Sequence, residues 1–193
     1  MRAFTNYNNV QEYTDSIKLP AGAYKAKIIR AEEQGDALCI LFDIADGEYK
    51  DFYRKKFGND KKAFPDDAKF KGVFRLWYPS GNEYDENNER KMKTALKKIC
   101  ESNSHLNIDF TKEWDGALLK DCCVGVVFRE QEYNYKGNHG FTAQPFSLIT
   151  LSDLKDGNFT IPEPKYLKGS TANPQQSNGF ADMPLDEDDD LPF

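Results

Sequence analysis

Two neighbouring segments of the chain have the side-chain pattern of β-strands. In residues 23–31, Tyr24, Ala26 and Ile28 alternate with lysines, as in a strand with one buried face. Residues 37–45 are apolar almost throughout, which predicts a central strand, and Gly35-Asp36 supplies the turn between the two. We therefore expect an antiparallel sheet to form the body of the protein.

The next segments predict a third strand and then a helix. Asp46-Gly47 is a hairpin signal, and residues 48–57 read as a strand that mixes aromatic and basic side chains. Residues 58–72 read as a polar loop, and 73–79 as a short extended piece. Within residues 86–103 the apolar side chains recur every three or four positions, which predicts an amphipathic helix.

Strand patterns return at 119–133 and 141–151, separated by the turn residues Lys136-Gly137-Asn138. The order is three strands, a helix and two strands. It predicts a mainly β (α+β) fold, an OB-fold-like five-stranded barrel with a helix between strands 3 and 4. No apolar run approaches the roughly 18 residues that span a bilayer. We expect a cytoplasmic protein that does not enter a membrane.

The net negative charge of the chain is concentrated in its last twelve residues. Residues 182–193 contain six acidic residues and no lysine or arginine, and the other 26 acidic residues are matched by 26 basic ones. Residues 168–181 are rich in Gly, Ser, Asn, Gln and Pro, which is typical of a flexible linker. The predicted organisation is a domain over 1–167, a linker over 168–181 and an acidic tip over 182–193, the linker and tip together forming a disordered acidic tail.

The acidic tip ends in an apolar tripeptide, Leu191-Pro192-Phe193, which a purely solubilising tail does not need. Its last six residues, DDDLPF from Asp188 to Phe193, closely resemble the C-terminal tip of bacterial single-stranded DNA-binding proteins. A weaker resemblance, carried by REQEYNYKGNHGF and FTIPEPKYL within residues 129–167, is to proteins encoded by bacteriophages and prophages. A phage-type single-stranded DNA-binding protein with a host-like tip fits both resemblances.

This resemblance implies a function for each part of the chain. It implies an OB-fold body that binds single-stranded DNA without sequence preference, and a tip that recruits replication, recombination and repair proteins. It implies no enzymatic activity and no cofactor, and it leaves open whether the protein is a homo-oligomer. The residues implied for partner binding are Asp188, Asp189, Asp190, Leu191, Pro192 and Phe193.

The body contains residue types that bind single strands, which are cations for phosphates and aromatic rings for bases. Residues 50–75 hold nine basic and four acidic side chains among several aromatic ones. Rings also cluster at the turn of the last predicted hairpin, where core packing explains them poorly. The predicted DNA-binding residues are Phe52, Arg54, Lys55, Lys56, Phe57, Lys61, Lys62, Trp77, Tyr78, Tyr133, Tyr135, Lys136 and Phe141.

Other interpretations of these residues stay open. Half of the aromatic residues fit a hydrophobic core equally well, and the lysines fit a solvated sheet edge. Asp43 with Glu48-Tyr49-Lys50 resembles the carboxylates and lysine of a metal-dependent nuclease. A phage adaptor that recruits host replication proteins through its tip without binding DNA is a third interpretation. The four cysteines lack the spacing of a zinc site, so we expect reduced thiols.

Overall fold

The computed structural model describes residues 17–135 and 137–167. Its elements in chain order are β1 (Gly22–Gln34), β2 (Ala37–Ile44), α1 (Phe52–Ala63), β3 (Val73–Trp77), α2 (Asp85–Ser102), a 3-10 helix (Gly116–Leu119), β4 (Cys123–Tyr135), β5 (Asn138–Ile149) and α3 (Leu151–Asp156). The predicted linker, the acidic tip and Lys136 lie outside the described residues.

The five strands form one antiparallel sheet in the order β3-β2-β1-β4-β5. The mainly β class and the helix between strands 3 and 4 are confirmed. The expected closure into a barrel is wrong for the described residues, because β3 and β5 end the sheet without pairing with each other. Helix α2 instead packs against both of these edge strands and against β4.

One face of the sheet carries the hydrophobic core. The core residues of β2 alternate along the strand, as Leu38, Ile40, Phe42 and Ile44, because successive side chains of a strand point to opposite faces. Between them, Ala37, Cys39 and Asp43 are also buried, on the other face. Buried residues of β1, β4 and α2 complete this core, among them Ile28, Val124, Val126, Phe128, Ala95, Leu96 and Ile99. Ala95, Leu96 and Ile99 are the buried residues of α2, which confirms that the predicted helix is amphipathic.

The third strand is not where the sequence pattern places it. Residues 52–63, expected to be strand and loop, form α1, and the extended piece at 73–77 is the third strand. Tyr49, Tyr53 and Phe57 are spaced by four residues, which is helical periodicity. The Tyr53 ring is buried, and its centroid lies 5.7 Å from that of Phe42 in the core.

An aromatic cluster joins α1 to the sheet. Edge-to-face or tilted contacts with ring centroids 5.1–6.4 Å apart connect its members, which are Tyr24, Phe42, Tyr49, Phe52, Tyr53, Phe57, Phe70 and Phe128. The backbone passes close to this cluster at Gly72, where a Cβ atom would lie 2.3 Å from the Phe42 carbonyl oxygen and 2.8 Å from the Tyr53 ring. Only glycine fits there, so the approach of β3 depends on it.

Candidate nucleic-acid interface

The predicted basic residues of the third strand lie on a helix. At 100° per residue, Lys61, Arg54, Lys62 and Lys55 lie about 80°, 100°, 180° and 200° around α1 from buried Tyr53, and all four are exposed. Lys56 is half-buried on the other side. The expected alternation of ring and cation on each face of a strand is therefore wrong, and α1 presents a basic face without alternating rings.

The two predicted aromatic residues of this segment are packing residues of the aromatic cluster. Phe52 is half-buried, and its ring centroid lies 5.1 Å from that of Tyr53. Phe57 is half-buried beside Phe70, with centroids 6.0 Å apart, and the ammonium of Lys61 lies 5.9 Å from the Phe57 ring centroid. These two rings pack α1 against the sheet, while the exposed cations of α1 face solvent.

Lys71, next to α1, lies where its protonated form is disfavoured. Partial burial lowers the pKa of Lys71, and the nearby positive charge of Lys56 lowers it further, against an opposing effect of Asp60. A nearby like charge disfavours the protonated amine. An anion bound here would relieve this repulsion.

Trp77 and Arg75 lie together on the outer face of β3, the face opposite to the core. Trp77 is 43% exposed, and its cross-strand neighbour is the small, buried Ala37. Exposed Arg75 is in register with buried Cys39. Burial raises the pKa of the Cys39 thiol, and the hydrogen bond and charge of Arg75 partly offset that rise. Small residues on β2 thus leave the ring and the guanidinium accessible.

Tyr78, the next predicted residue, is held by a carboxylate. Its hydroxyl donates a hydrogen bond to Glu33 Oε1 over 2.9 Å. Partial burial raises its pKa to about 12, and the hydrogen bond and charge of Glu33 contribute to that rise. Tyr78 is half-buried and packs against the core, while its hydroxyl is held at the end of β1.

The hairpin of β4 and β5 projects beyond the rest of the sheet. Pairing with β1 stops at Phe128, whereas β4 and β5 stay paired as far as Tyr135 and Asn138. The seven residues of β4 after Phe128 therefore extend about 20 Å beyond its pairing with β1. The predicted hairpin is confirmed, and its strands run closer to the turn than the predicted bounds of 133 and 141, ending at Tyr135 and beginning again at Asn138.

One face of this projection, the outer hairpin face, carries Arg129, Tyr133, Tyr135 and Phe146. Tyr133 covers Gly140 on the opposite strand, and Tyr135 is 40% exposed. The guanidinium carbon of Arg129 lies 4.9 Å from the centroid of the Phe146 ring, which is 48% exposed. A cation over an exposed ring, followed by two tyrosines, is an arrangement that can stack bases and contact phosphates.

The inner hairpin face is used for packing. Phe141 is half-buried, with its ring centroid 5.8 Å from that of Tyr166. Next to it, the buried Glu132 carboxylate binds the His139 ring and accepts a hydrogen bond from the Leu167 amide over 2.8 Å. The predicted ring cluster is thus divided, with Tyr133 and Tyr135 on one face and Phe141 on the other.

Sequence reasoning missed three residues of these surfaces, Arg75, Arg129 and Phe146. Arg129 could have been found, because it precedes Tyr133 by four positions on the same strand and shares its face. Phe146 could not, because a bulge opposite Val127 and Phe128 shifts the register of β5 there. Such a shift reverses the face that a side chain occupies.

The carboxylate of Asp43, the first one required by the nuclease interpretation, has a structural role instead. Asp43 is buried, and its oxygens accept hydrogen bonds from the amides of Ile44, Tyr53 and Arg54 over 2.9–3.0 Å. Glu48 and Lys50 are exposed in the turn before α1. Within residues 17–135 and 137–167, no three acidic, histidine or cysteine side chains are grouped as metal ligands.

An open groove of about 570 Å³ lies between β1, the turn before α1, and α3. Its apolar lining includes Tyr24, Tyr49, Leu151 and Leu154, and the charged lining residues are Lys25, Lys155, Asp46 and Glu48. The two signs balance, and Lys25 is 3.4 Å from Asp46. This groove is therefore poorly suited to phosphates.

The comparisons with known proteins found no match to any family model and none to a curated protein. In the part of the chain that the structure describes, no helix combines the length and apolar character that crossing a membrane requires.

Proposed function

We propose that this chain is a non-enzymatic single-stranded DNA-binding protein with an OB-like body, which recruits replication, recombination or repair proteins through its acidic C-terminal tip. The observation that carries the proposal is the outer hairpin face, where Arg129 covers the exposed Phe146 ring and Tyr133 and Tyr135 continue the row. Stacking on rings and contacts to phosphates together bind single strands of any sequence.

The topology supports the OB-like part of the proposal. Five antiparallel strands in the order β3-β2-β1-β4-β5, with a helix after β3, are consistent with an OB barrel that is open between β3 and β5. In OB-folds the face of strands 2 and 3 and the loop between strands 4 and 5 bind oligonucleotides. Here Trp77 and Arg75 occupy the first of these positions and the projecting hairpin occupies the second.

Phosphate binding is assigned to the basic face of α1, formed by Arg54, Lys55, Lys61 and Lys62. The rest of the body supplies little net charge, since several cations of β1 are paired, as in Lys27 with Asp121 at 2.8 Å and Arg30 with Glu32 at 2.9 Å. Binding therefore depends on local patches, and we expect a moderate dependence on salt.

Partner recruitment is assigned to Asp188, Asp189, Asp190, Leu191, Pro192 and Phe193 on the basis of sequence. An aromatic residue with a terminal carboxylate can enter an apolar pocket while the aspartates contact lysines or arginines around it. Because the tip carries the whole net charge of −6, we also expect it to compete with DNA for the basic patches.

The test is fluorescence anisotropy of a labelled oligo-dT with the full chain and with a chain that ends at Ala181, at low and moderate salt. We expect both to bind, and the shortened chain to bind more tightly at low salt. Equal affinities would contradict the competition. If neither chain binds at micromolar concentration, DNA binding is wrong and the adaptor interpretation replaces it. Cleavage of the oligonucleotide upon addition of Mg²⁺ would restore the nuclease interpretation.

A further inference from the structure

One long edge of the hairpin is left open in the described structure. The hairpin edge of β4 is covered, because the Glu132 amide donates to the Lys165 carbonyl and the Lys165 amide donates to the Glu130 carbonyl, both over 2.8 Å. Strand β5 is the last strand of the sheet. Its outer edge has no partner strand among residues 17–135 and 137–167.

The hydrogen bonds to Lys165 reveal which groups of β5 face outward. Along an antiparallel strand, the amide and carbonyl of successive residues alternate between the two neighbours. Since Glu130 and Glu132 point away from β5, Gln131 and Tyr133 point toward it. Their register partners, Thr142 and Gly140, therefore point toward β4. The amides and carbonyls of His139, Phe141 and Ala143 are left to point away from the sheet.

Edges of this kind are normally protected by charged side chains, prolines or bulges, since an exposed row of amides and carbonyls pairs with other strands. Residues 138–144 contain no Asp, Glu, Lys, Arg or Pro. Pro145 and the bulge at Phe146 follow immediately. The edge is therefore protected against strand pairing only from residue 145 onward. The outward-facing backbone groups of His139, Phe141 and Ala143 stay available for pairing.

We infer that this edge, from His139 to Ala143, pairs antiparallel with the same edge of a second copy of the chain. A twofold axis at Phe141 places the two Phe141 residues opposite each other and each His139 opposite the partner's Ala143. All three are then hydrogen-bonded pairs. A neutral edge has no like charges to oppose across that axis. A symmetric contact of this type uses one surface on both copies and closes as a dimer.

The side chains at the centre of the contact suit a self-pairing. Cross-strand aromatic pairs stabilise antiparallel strands, and each Phe141 ring is already supported from the side by Tyr166. The pairing also extends the outer hairpin faces of the two copies into one surface. It does not itself require nucleic acid.

The first measurement is the mass of the full chain by light scattering over a range of concentrations, without DNA. We expect a concentration-dependent dimer. Ala143→Pro removes one outward amide without breaking a bond to β4, and it should shift the protein to the monomer. Ala143→Ser keeps that amide and should remain dimeric. A monomer at every concentration, or a dimeric Ala143→Pro protein, would overturn the inference.

A cross-linking experiment tests the register independently. Facing residues in a hydrogen-bonded pair have Cα atoms about 5.5 Å apart, which is within the roughly 4.4–6.8 Å that a disulfide spans. Phe141→Cys should therefore form a dimer-linking disulfide when diamide is the oxidant. Thr142→Cys is the matched control, because the two copies of Thr142 are offset along the strands. Equal cross-linking by the two variants would rule out the proposed axis.

Failure of this inference and failure of the proposed function give different results. A monomer that binds oligo-dT would overturn only the edge pairing. A dimer that ignores oligo-dT would overturn only the DNA proposal.

Discussion

Asp43 on β2 caps a helix that begins nine residues further along the chain: its Oδ1 accepts a hydrogen bond from the Tyr53 amide over 2.9 Å, and its Oδ2 one from the Arg54 amide over 3.0 Å. These amides lie in the first turn of α1, where they have no partner inside the helix. The carboxylate also has a favourable interaction with the positive end of the helix dipole. A buried residue of the sheet thereby fixes the orientation of the basic helix.

Asp43→Asn should destabilise the protein by about 2 kcal/mol, because one oxygen that binds an amide is replaced by a donor and the charge is lost. Urea unfolding measures the change. Asp46→Asn, an exposed residue paired with Lys25, is the control and should cost less than about 1 kcal/mol. Similar losses in both variants would show that Asp43 has no special role at α1.

Glu132→Ala should loosen the chain where it pairs with the hairpin. The substitution leaves the Leu167 amide and the His139 ring without their acceptor, a loss of about 1–3 kcal/mol. Hydrogen exchange should show faster exchange at Lys165 and Leu167. Glu130→Ala is the control, because the Lys165 amide donates to the backbone carbonyl of Glu130, which the substitution keeps. Unchanged protection at Leu167 in Glu132→Ala would contradict the role of this carboxylate.

Lys61→Ala combined with Lys62→Ala should weaken oligo-dT binding mainly at low salt. If each lysine neutralises one phosphate, the slope of log K against log salt decreases by about 0.7 per lysine. Removing Lys91 and Lys93 from the exposed side of α2 changes the net charge equally and serves as the control. The same change of slope in both double variants would show that only total charge matters.

Phe146→Ala should reduce the affinity for oligo-dT with little effect on salt dependence, since it removes a ring and no charge. Loss of one stacked base corresponds to about 1–3 kcal/mol. Anisotropy titrations at two salt concentrations provide the measurement. Leu118→Ala, which removes a 51% exposed apolar side chain from the 3-10 helix, should bind normally. Normal binding by Phe146→Ala would exclude this ring from the DNA path.

The partial burial of Tyr78, together with its hydrogen bond to Glu33, predicts a specific loss of stability in alkali. The pKa of Tyr78 is about 12 in the fold, against an ordinary value of 10.0, so the fold favours the protonated phenol. This contribution is complete below pH 10 and is lost as the pH rises toward 12. The difference in unfolding free energy between the protein and Tyr78→Phe should therefore be constant from pH 7 to 9 and shrink above pH 10. A constant difference up to pH 11 would contradict the role of this contact.

The elements that the sequence predicts correctly are those whose signals are local. Strands β1 and β2, helix α2 and the β4–β5 hairpin each carry their own periodicity and turn residues. Helix α1 lacks a local start signal, because its capping carboxylate, Asp43, lies on another element and Asp51 before it has a positive φ of 58°. The alternating rings and cations of residues 48–57 fit a strand, while the spacing of Tyr49, Tyr53 and Phe57 fits a helix.

The candidate site shows the same division. Trp77, Tyr133 and Tyr135 could be selected from the sequence because rings near turns and edges have little core to enter. Phe52 and Phe57 could not be separated from the core by composition, since their burial depends on Phe70 and Tyr53, which α1 brings together. Phe146 depends on a bulge, and no local pattern indicates where a bulge occurs.

Pro145 sets an upper limit on the growth of any assembly built on this strand. Its nitrogen, at the next outward position after Ala143, carries no hydrogen, so a strand added to β5 cannot continue its ladder past that point. Two copies that pair as inferred would each use all the outward-facing amides and carbonyls from His139 to Ala143. No free part of this stretch would remain to pair with a third copy. The same short edge of β5 that permits a dimer therefore cannot itself extend the assembly into a fibre.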